Sequence, residues 1–273
     1  MNSSEFKWSE FLDRWERRAL RWACSEIETY GIADPRQRLD VVLRDEAARL
    51  GVRLPPETFR PLGPVGSTFQ GAEDAELRAR LSRAQDMVRE IERVLEHEQR
   101  PLRERLGGYL WAVLRNGGLR FAPATEDALQ TLESRLGRAL PPSYRQFLRV
   151  SNGWLTFWAR LLPASEVAPL ASRDPELIAE WGEDVGEIAD EEYDVYGSEQ
   201  NAALYRREYL AHTIEISEPI GSWCTYLLCP CRTFPDGEWE TWRMSVALAG
   251  AQRFRSFRDF MHDLEQRELT ELT

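Results

Sequence analysis

Residues 123–154 read PATEDALQTLESRLGRALPPSYRQFLRVSNGW, and this stretch decides the fold. Thr125 is a typical cap for a first short helix. The corner Leu140-Pro141-Pro142 starts a second helix, because proline suits the first helical turn. Ser151-Asn152-Gly153 then predicts a sharp turn into a sheet. Apolar spacing assigns the buried faces of the two helices to Leu129, Leu132, Leu136, Tyr144, Phe147 and Leu148. The stretch holds no recognisable nucleophile, metal cage or phosphate cradle, which favours a binding domain over an enzyme.

Beyond this stretch the pattern changes to strands and ends in a helix. Aromatic and aliphatic residues predict a strand between Trp154 and Leu162, and alternation predicts another from Thr213 to Ile216. A hairpin is predicted from Trp223–Cys229 and Trp239–Val246, because Pro235-Asp236-Gly237 between them is a turn sequence. Apolar residues at helical spacing predict a closing helix through Phe254, Phe257, Phe260, Met261 and Leu264. Helices, then strands, then a helix indicate an α+β fold.

The first 118 residues are predicted to form an all-helical domain of unknown role. A first helix has an apolar face made of Trp8, Phe11, Leu12, Trp15, Ala19, Trp22 and Ala23. Asp34-Pro35 is a good start for a second helix, a Pro/Gly-rich loop follows at 54–72, and a helical stripe runs from Leu77 to Leu114. Residues 1–120 hold 21 Lys+Arg against 20 Asp+Glu, whereas residues 121–273 hold 14 against 26. This shift supports a domain boundary between residues 118 and 119 and places the acidity in the C-terminal domain.

The C-terminal half resembles a known family. Its order of residues is similar to the opening of SUKH-superfamily domains, the group named for the yeast Smi/Knr cell-wall regulator. That pattern is a glutamate, a glycine, Leu-Pro, an aromatic residue, a Phe-Leu pair and Asn-Gly, which are here Glu133, Gly137, Leu140-Pro141, Tyr144, Phe147-Leu148 and Asn152-Gly153. Three later segments also resemble the family in order: Leu161–Val167, Asp236-Gly237-Glu238-Trp239 and the closing helix. The resemblance covers about residues 121–268.

The resemblance implies a mixed sheet flanked by helices. It also implies, for bacterial members, a role as immunity proteins that neutralise polymorphic toxins, whereas eukaryotic members look like regulatory interaction modules. Most of the residues that carry the resemblance are expected to define the fold and need not touch a partner.

The segment from Asp174 to Glu199, called here the acidic segment, holds eleven Asp or Glu and no Lys or Arg. One interpretation is a solvated loop, since charge runs are often only that. The other is a docking surface for a cationic partner, because acidic charge steers encounter and Tyr and Trp are frequent binding hot spots. The predicted partner-binding residues are Trp181, Glu183, Asp184, Glu187, Asp190, Glu191, Glu192, Tyr193, Asp194 and Tyr196.

The sequence gives little indication of a metal, cofactor or catalytic site. Cys224, Cys229 and Cys231 lack the paired C-x2-C spacing of structural zinc, and Cys229 and Cys231 are expected to share a buried strand face. We therefore predict no metal and no cofactor. No nucleophile elbow, P-loop or dinucleotide fingerprint is present, and no catalytic residue is predicted.

We accordingly expect a non-catalytic, cytoplasmic immunity protein that binds a basic cognate toxin, for which a nuclease is one candidate. The alternative is a regulatory scaffold with no toxin partner. The net charge of −11 makes nucleic acid a poor partner, because phosphate binding needs clustered cations. The sequence has no run of about 18 apolar residues, so no membrane span is predicted. The sequence leaves the oligomeric state open.

Overall fold

The computed structural model describes residues 6–32, 120–182, 188–220, 224–245, 247–248 and 250–271, together with positions 82, 109, 112, 113, 116, 118 and 119. The chain divides into two compact units. One contains residues 1–9, 120–271 and 273, and the other contains residues 10–119 and 272. No helix in the described part of the chain is long and apolar enough to cross a membrane.

The first helix, α1, spans Trp8–Ile32. Its predicted apolar face is confirmed for five positions that are almost fully buried: Trp8, Phe11, Leu12, Trp15 and Ala19. Trp22 is half-buried and its ring lies 5.5 Å from that of Tyr109. The side chain of Ala23, the helix predicted from Asp34-Pro35, the loop at 54–72 and almost all of the stripe from Leu77 to Leu114 lie outside the described residues.

The stretch that was expected to decide the fold forms the two predicted helices, α2 (Glu126–Leu136) and α3 (Pro142–Val150). Thr125 caps α2 by accepting a hydrogen bond from the backbone N–H of Ala128, and Gly137 ends it with a φ of 68° in the left-handed region. Glycine is favoured there because it has no Cβ to clash with the backbone. Five of the six predicted apolar positions are buried: Leu129, Leu132, Tyr144, Phe147 and Leu148. Leu136 is half-buried.

The strands form two sheets. The smaller sheet has the order β1-β2-β5, from β1 (Trp154–Leu155), β2 (Ala159–Leu161) and β5 (Ser217–Pro219). The larger sheet has the order β3-β4-β6-β7-β8. Its strands are β3 (Ala168–Pro169), β4 (Ile214–Glu215), β6 (Cys224–Thr233), β7 (Trp239–Ser245) and β8 (Ala251–Phe254). Every pairing between described strands is antiparallel, whereas the resemblance implied a mixed sheet. The α+β class is confirmed.

The predicted hairpin is β6–β7, with Leu227 opposite Trp242 and Gly237 in the turn at a φ of 82°. The helices α4 (Leu170–Arg173), α5 (Pro175–Trp181) and α6 (Asp190–Tyr193) lie between β3 and β4, followed by 3-10 turns at Gly197–Glu199 and Arg207–His212. The closing helix, α7, spans Phe257–Glu271. Phe254, predicted as its first position, instead ends β8, because residues 251–254 pair with residues 241–244 of β7.

Both faces of the larger sheet are covered. On one face Tyr226 contacts Phe260 of α7, with ring centroids 4.8 Å apart. On the other face Leu227 and Trp242 belong to an apolar cluster that also contains Leu170, Leu177, Tyr205, Leu210, Cys229, Met244 and Ala251. This double burial explains why residues 224–229 and 239–244 are buried without alternation.

Candidate partner-binding surface

The described parts of the acidic segment, residues 174–182 and 188–199, contact the face of the larger sheet on which Trp242 lies. Leu177 of α5 belongs to the apolar cluster on that face, and Trp181 is half-buried against the same cluster. The carbonyl of Trp181 also accepts a hydrogen bond of 3.0 Å from the hydroxyl of Tyr205. Asp174 has a local role, because its carboxylate caps α5 by accepting the backbone N–H of Leu177 at 2.9 Å.

A buried carboxylate anchors the segment to the sheet. Glu240 of β7 accepts hydrogen bonds from the hydroxyls of Tyr193 at 2.5 Å and Tyr196 at 2.7 Å. It also accepts one from the indole N–H of Trp242 at 2.6 Å. Arg253 of β8 completes an ion pair with Glu240 at 3.3 Å, and both side chains are 0% exposed. These five residues are called the Glu240 network below.

Arg253 binds the segment directly as well as through Glu240. Its guanidinium donates to the carbonyls of Tyr193 and Val195 and lies 4.0 Å from the centre of the Tyr193 ring. The backbone N–H and C=O of Arg253 bind the side-chain amide of Gln200, at 2.7 and 2.9 Å. Residues 193–196 are therefore fixed by charge-assisted hydrogen bonds, which are about twice as strong as neutral ones, and Gln200 adds two neutral hydrogen bonds.

The burial of the network also raises the pKa of its phenols. Burial raises the pKa of Tyr193, and the nearby charge of Glu240 raises it further. The pKa of Tyr196 is raised by the same two causes in the same order. An ordinary tyrosine is already neutral at physiological pH, and the raised pKa keeps both phenols as hydrogen-bond donors to the carboxylate at higher pH as well.

These contacts change the predicted partner-binding set. Tyr193 was predicted as a surface hot spot but is 0% exposed, so it has no surface to offer a partner. Tyr196 and Trp181 are half-buried and keep part of their rings at the surface. Glu183, Asp184 and Glu187 lie outside the described residues.

The exposed acids of the set differ in how far they are neutralised. Asp190 forms an ion pair with Arg206, and Asp194 forms one with Arg232. The hydrogen bond from Arg206 lowers the pKa of Asp190 below its ordinary value. Glu191 and Glu192 are exposed, and neither has a charged partner among the described residues. The structure thus brings four of the predicted carboxylates together at residues 190–194, with two of them open to a partner.

Sequence reasoning missed four residues that shape this surface: Arg206, Arg232, Glu240 and Arg253. The segment itself has no cation, and its partners come from residues 16 to 60 positions away along the chain. One signal was available for Glu240. It lies two residues before Trp242 on a predicted strand, so the alternation places a carboxylate on an apolar face, where a buried charge requires a partner.

The residues that carry the family pattern have structural roles. Glu133 accepts hydrogen bonds from the backbone N–H of Leu140 and from Arg145, both at 3.1 Å. Asn152 accepts the backbone N–H of Ala164 at 2.7 Å. Gly153 has a φ of 118°, and a Cβ there would lie 2.9 Å from the carbonyl oxygen of Leu161. The pattern therefore specifies helix ends and turns, as expected.

The cysteines differ from expectation in one respect. Cys229 is buried, as predicted for a small apolar residue, but Cys231, predicted on the same buried face, is exposed; Cys224 is also buried. The pairing of β6 with β7 shifts register between Cys229 and Thr233, so the simple alternation that placed both thiols on a buried face is broken. Within the described ranges, no group of three or more His, Cys, Asp or Glu is arranged to hold a metal ion.

Comparison with known proteins gives a match to a family model. No curated protein sequence gives a significant match to the chain. Residues 123–263 match the family model described as SMI1 / KNR4 family (SUKH-1), which confirms the resemblance seen over about residues 121–268. Since the match spans more than half of the 273 residues, the chain belongs to the SMI1 / KNR4 (SUKH-1) family.

Proposed function

We propose that this protein is a non-catalytic immunity protein, which neutralises a cationic protein toxin by stoichiometric binding through residues 190–196. The observation that carries the proposal is the open carboxylate pair Glu191 and Glu192, held on a segment that the buried Glu240 network fixes to the sheet. Membership of the SMI1 / KNR4 (SUKH-1) family is consistent with an interaction module.

The physical argument is one of preorganisation. A loop that becomes ordered only on binding loses conformational entropy, and this loss weakens its affinity for the partner. A segment that is already anchored in the free protein avoids most of this loss. Two adjacent carboxylates on a fixed backbone also steer a cationic partner and raise its association rate at low salt. A toxin that cleaves nucleic acid needs a basic cleft, and such carboxylates can occupy it in place of phosphates.

The test starts with affinity purification from the source organism at low salt, with captured proteins identified by mass spectrometry. The purified partner is then titrated by calorimetry at two salt concentrations, and its toxicity is measured in cells with and without this protein. The proposal predicts one basic partner, a stoichiometry of one to one, weaker binding at high salt and loss of toxicity. Several unrelated partners with salt-insensitive binding would instead support a regulatory scaffold.

Charge variants locate the surface. We expect Glu191→Gln/Glu192→Gln to slow association with the partner, because two steering charges are removed. Asp127→Asn/Asp259→Asn is the matched control, since it makes the same change in net charge at exposed positions of α2 and α7. Arg232→Gln should act in the opposite direction, because it releases Asp194 from its ion pair. If both double variants slow association equally, the association rate depends on net charge alone, and residues 190–196 are not the binding surface.

A further inference from the structure

Two aromatic rings lie together beside the turn of the β6–β7 hairpin. Tyr196, a member of the Glu240 network, contacts Phe234 edge-on, with ring centroids 6.0 Å apart. Phe234 is buried, and its carbonyl begins the hairpin turn by accepting the backbone N–H of Gly237 at 2.9 Å. Both rings are therefore held by contacts within the fold, so a side chain that packs on them has a defined position.

Three guanidiniums lie against these two rings. The central carbon of the Arg255 guanidinium lies 4.6 Å from the centre of the Phe234 ring and 5.7 Å from that of Tyr196. The corresponding carbon of Arg232 lies 5.9 Å from Phe234, and that of Arg253 lies 5.4 Å from Tyr196. Arginine packs on aromatic faces because its delocalised cation is weakly hydrated and is attracted by the ring electrons.

The carboxylates of this cluster balance two of the three cations. Glu240 pairs with Arg253, and Asp194 pairs with Arg232. Among the residues that the structure describes, the guanidinium of Arg255 has neither an ion pair nor a hydrogen-bond acceptor, and Arg255 is exposed. The N–H donors of Arg255 are therefore open to an acceptor from another molecule, while its planar group stays packed on two rings.

The surroundings of Arg255 favour a carboxylate as that acceptor. A guanidinium can offer two parallel N–H donors to a carboxylate or a phosphate. Arg232, which packs on the same Phe234 ring, already binds the carboxylate of Asp194. The exposed acids of residues 190–194 lie on the same segment as Tyr196 and would repel a chain of phosphates, whereas one carboxylate can be matched by one cation.

We propose that Arg255 binds a carboxylate side chain of the protein partner, beside the surface at residues 190–196 that binds the partner's cations. The nature of the partner rests on the function proposed above, whereas the chemistry of the Arg255 site does not. The partner is then not uniformly basic, because its surface carries an Asp or Glu next to its cationic patch. Contacts of both signs fix the orientation of the complex, since a rotated partner would bring like charges together.

The first test needs no partner and uses the full protein with small probes. These are acetyl-Gly-Asp-Gly-amide, its neutral match acetyl-Gly-Asn-Gly-amide, and inorganic phosphate. NMR of isotope-labelled protein follows the side-chain Nε–Hε signals of the arginines, and Arg255→Gln assigns the signal of Arg255. We expect the Asp peptide to shift this signal saturably and the Asn peptide to leave it in place. A shift with phosphate alone, or with none of the three probes, would overturn the proposal.

A matched control variant is available on the other face of the sheet. Arg138 is also exposed, lies 5.9 Å from the centre of the Trp239 ring, and has no charged partner within the described part of the chain. Trp239 and Glu240 are neighbours on β7 and so face opposite sides of the sheet, which separates Arg138 from Tyr196. Arg138→Gln therefore makes the same change in net charge as Arg255→Gln, away from the proposed contact.

The second test measures the affinity of both variants for the purified partner by calorimetry. Arg255→Gln should weaken binding about tenfold, as expected for the loss of one charge-assisted contact. Removal of a positive charge by itself favours a basic partner, so Arg138→Gln should leave the affinity unchanged or raise it slightly. Arg255→Glu should weaken binding further, because two carboxylates then face each other.

The two tests separate this proposal from the function on which it rests. If the partner binds through Glu191 and Glu192 but Arg255→Gln and Arg138→Gln have equal effects, the Arg255 contact is wrong and the proposed function stands. If no cationic partner exists but the Asp peptide shifts the Arg255 signal, the proposed function fails and the carboxylate site stands.

Discussion

The carboxylate of Glu238 binds Ser143 at two points and so joins the β6–β7 hairpin to the start of α3. The backbone N–H of Ser143 donates to Oε1 at 2.8 Å and its hydroxyl donates to Oε2 at 2.7 Å. Pro141, at the N-cap position of α3, has no side chain that can accept a hydrogen bond. A carboxylate from 95 residues away therefore acts as the cap and faces the positive end of the helix dipole.

The first prediction is that Glu238→Ala destabilises the protein by about 1–3 kcal/mol, because it leaves a buried N–H and a buried hydroxyl without their acceptor. Ser143→Ala should cost less, since it removes the hydroxyl, which donates to Glu238 and accepts the backbone N–H of Arg258 at 3.3 Å, but keeps the backbone bond to Glu238. Urea unfolding followed by tryptophan fluorescence measures both. A loss in Ser143→Ala that equals or exceeds the loss in Glu238→Ala would contradict the prediction that Glu238 is the main cap of α3.

The second prediction compares two glycines of the family pattern. Gly137→Ala places a Cβ at a φ of 68° with no described atom within 4 Å, so only the backbone cost of about 1–2 kcal/mol applies. Gly153→Ala combines a φ of 118° with contacts of 2.9 Å to the Leu161 oxygen and 3.3 Å to the Phe121 ring. Backbone strain and overpacking together are expected to cost about 3 kcal/mol or more.

Unfolding midpoints of the two alanine variants give the comparison, with the native protein as reference. Equal destabilisation would mean that the Leu161 carbonyl and the Phe121 ring move aside at little cost. We expect a larger loss of stability in Gly153→Ala than in Gly137→Ala. Both substitutions reduce the conformational freedom of the unfolded chain equally, so the difference between them reports on the folded state.

Local signals were sufficient for the elements that carry them. The Thr125 cap, the Gly137 stop and the Pro-Asp-Gly turn each act within a few residues, so the sequence predicts α2, α3 and the β6–β7 hairpin. Strand β8 was missed for the opposite reason. Its Arg253 is a charged residue in a buried position, which is tolerable because it pairs with Glu240 and donates to the carbonyls of Tyr193 and Val195, contacts that a local pattern does not reveal.

The candidate site was predictable in location but not in composition. The run of acids marked the segment, because a cluster of like charges is visible in the chain itself. Which side chains face outward depends on tertiary contacts: Tyr193 points into the Glu240 network, and Arg206 and Arg232 come from other elements to pair with Asp190 and Asp194. Periodicity does not reveal a pairing between an irregular segment and a distant strand.

The third prediction concerns pH. Hydrogen bonds from Arg149 and then Arg145 lower the pKa of Glu126 from its ordinary 4.5 to about 2. Because the folded-state pKa is depressed, the stabilising contribution is present above pH 4.5 and is lost as the pH falls through about 2. An NMR titration of the Glu126 carboxyl should give this value in the native protein and a higher one in Arg149→Met.

Arg160→Met is the control for that titration, since Arg160 pairs with Glu166 and Glu218 and should leave Glu126 unchanged. High salt should also raise the pKa of Glu126, because its side chain is 51% exposed and the pair is open to screening. A titration near 4.5 in the native protein would show that the ion pairs do not form in solution.

The fourth prediction tests whether the Glu240 network fixes the proposed binding surface. Arg253→Met leaves the buried Glu240 charge without its cation, and removing one partner of a buried pair costs about 3–5 kcal/mol. The carbonyls of Tyr193 and Val195 lose their hydrogen bonds from the guanidinium, so a protease specific for glutamate should cut faster after Glu191, Glu192 and Glu199. Chemical denaturation and a proteolysis time course measure the two effects separately.

A double-mutant cycle isolates the pair itself. Glu240→Leu/Arg253→Met leaves neither charge buried alone, so its loss of stability should be smaller than the sum of the two single losses. A coupling of about 0.5–3 kcal/mol is the range for residues in one hydrogen-bond network. Additive losses would show that Glu240 and Arg253 act independently. If the losses are additive and Arg253→Met still binds the partner with a lower association rate than the native protein, the lower rate would be due to Arg253 alone. It would then reflect the loss of the hydrogen bonds from Arg253 to the Tyr193 and Val195 carbonyls.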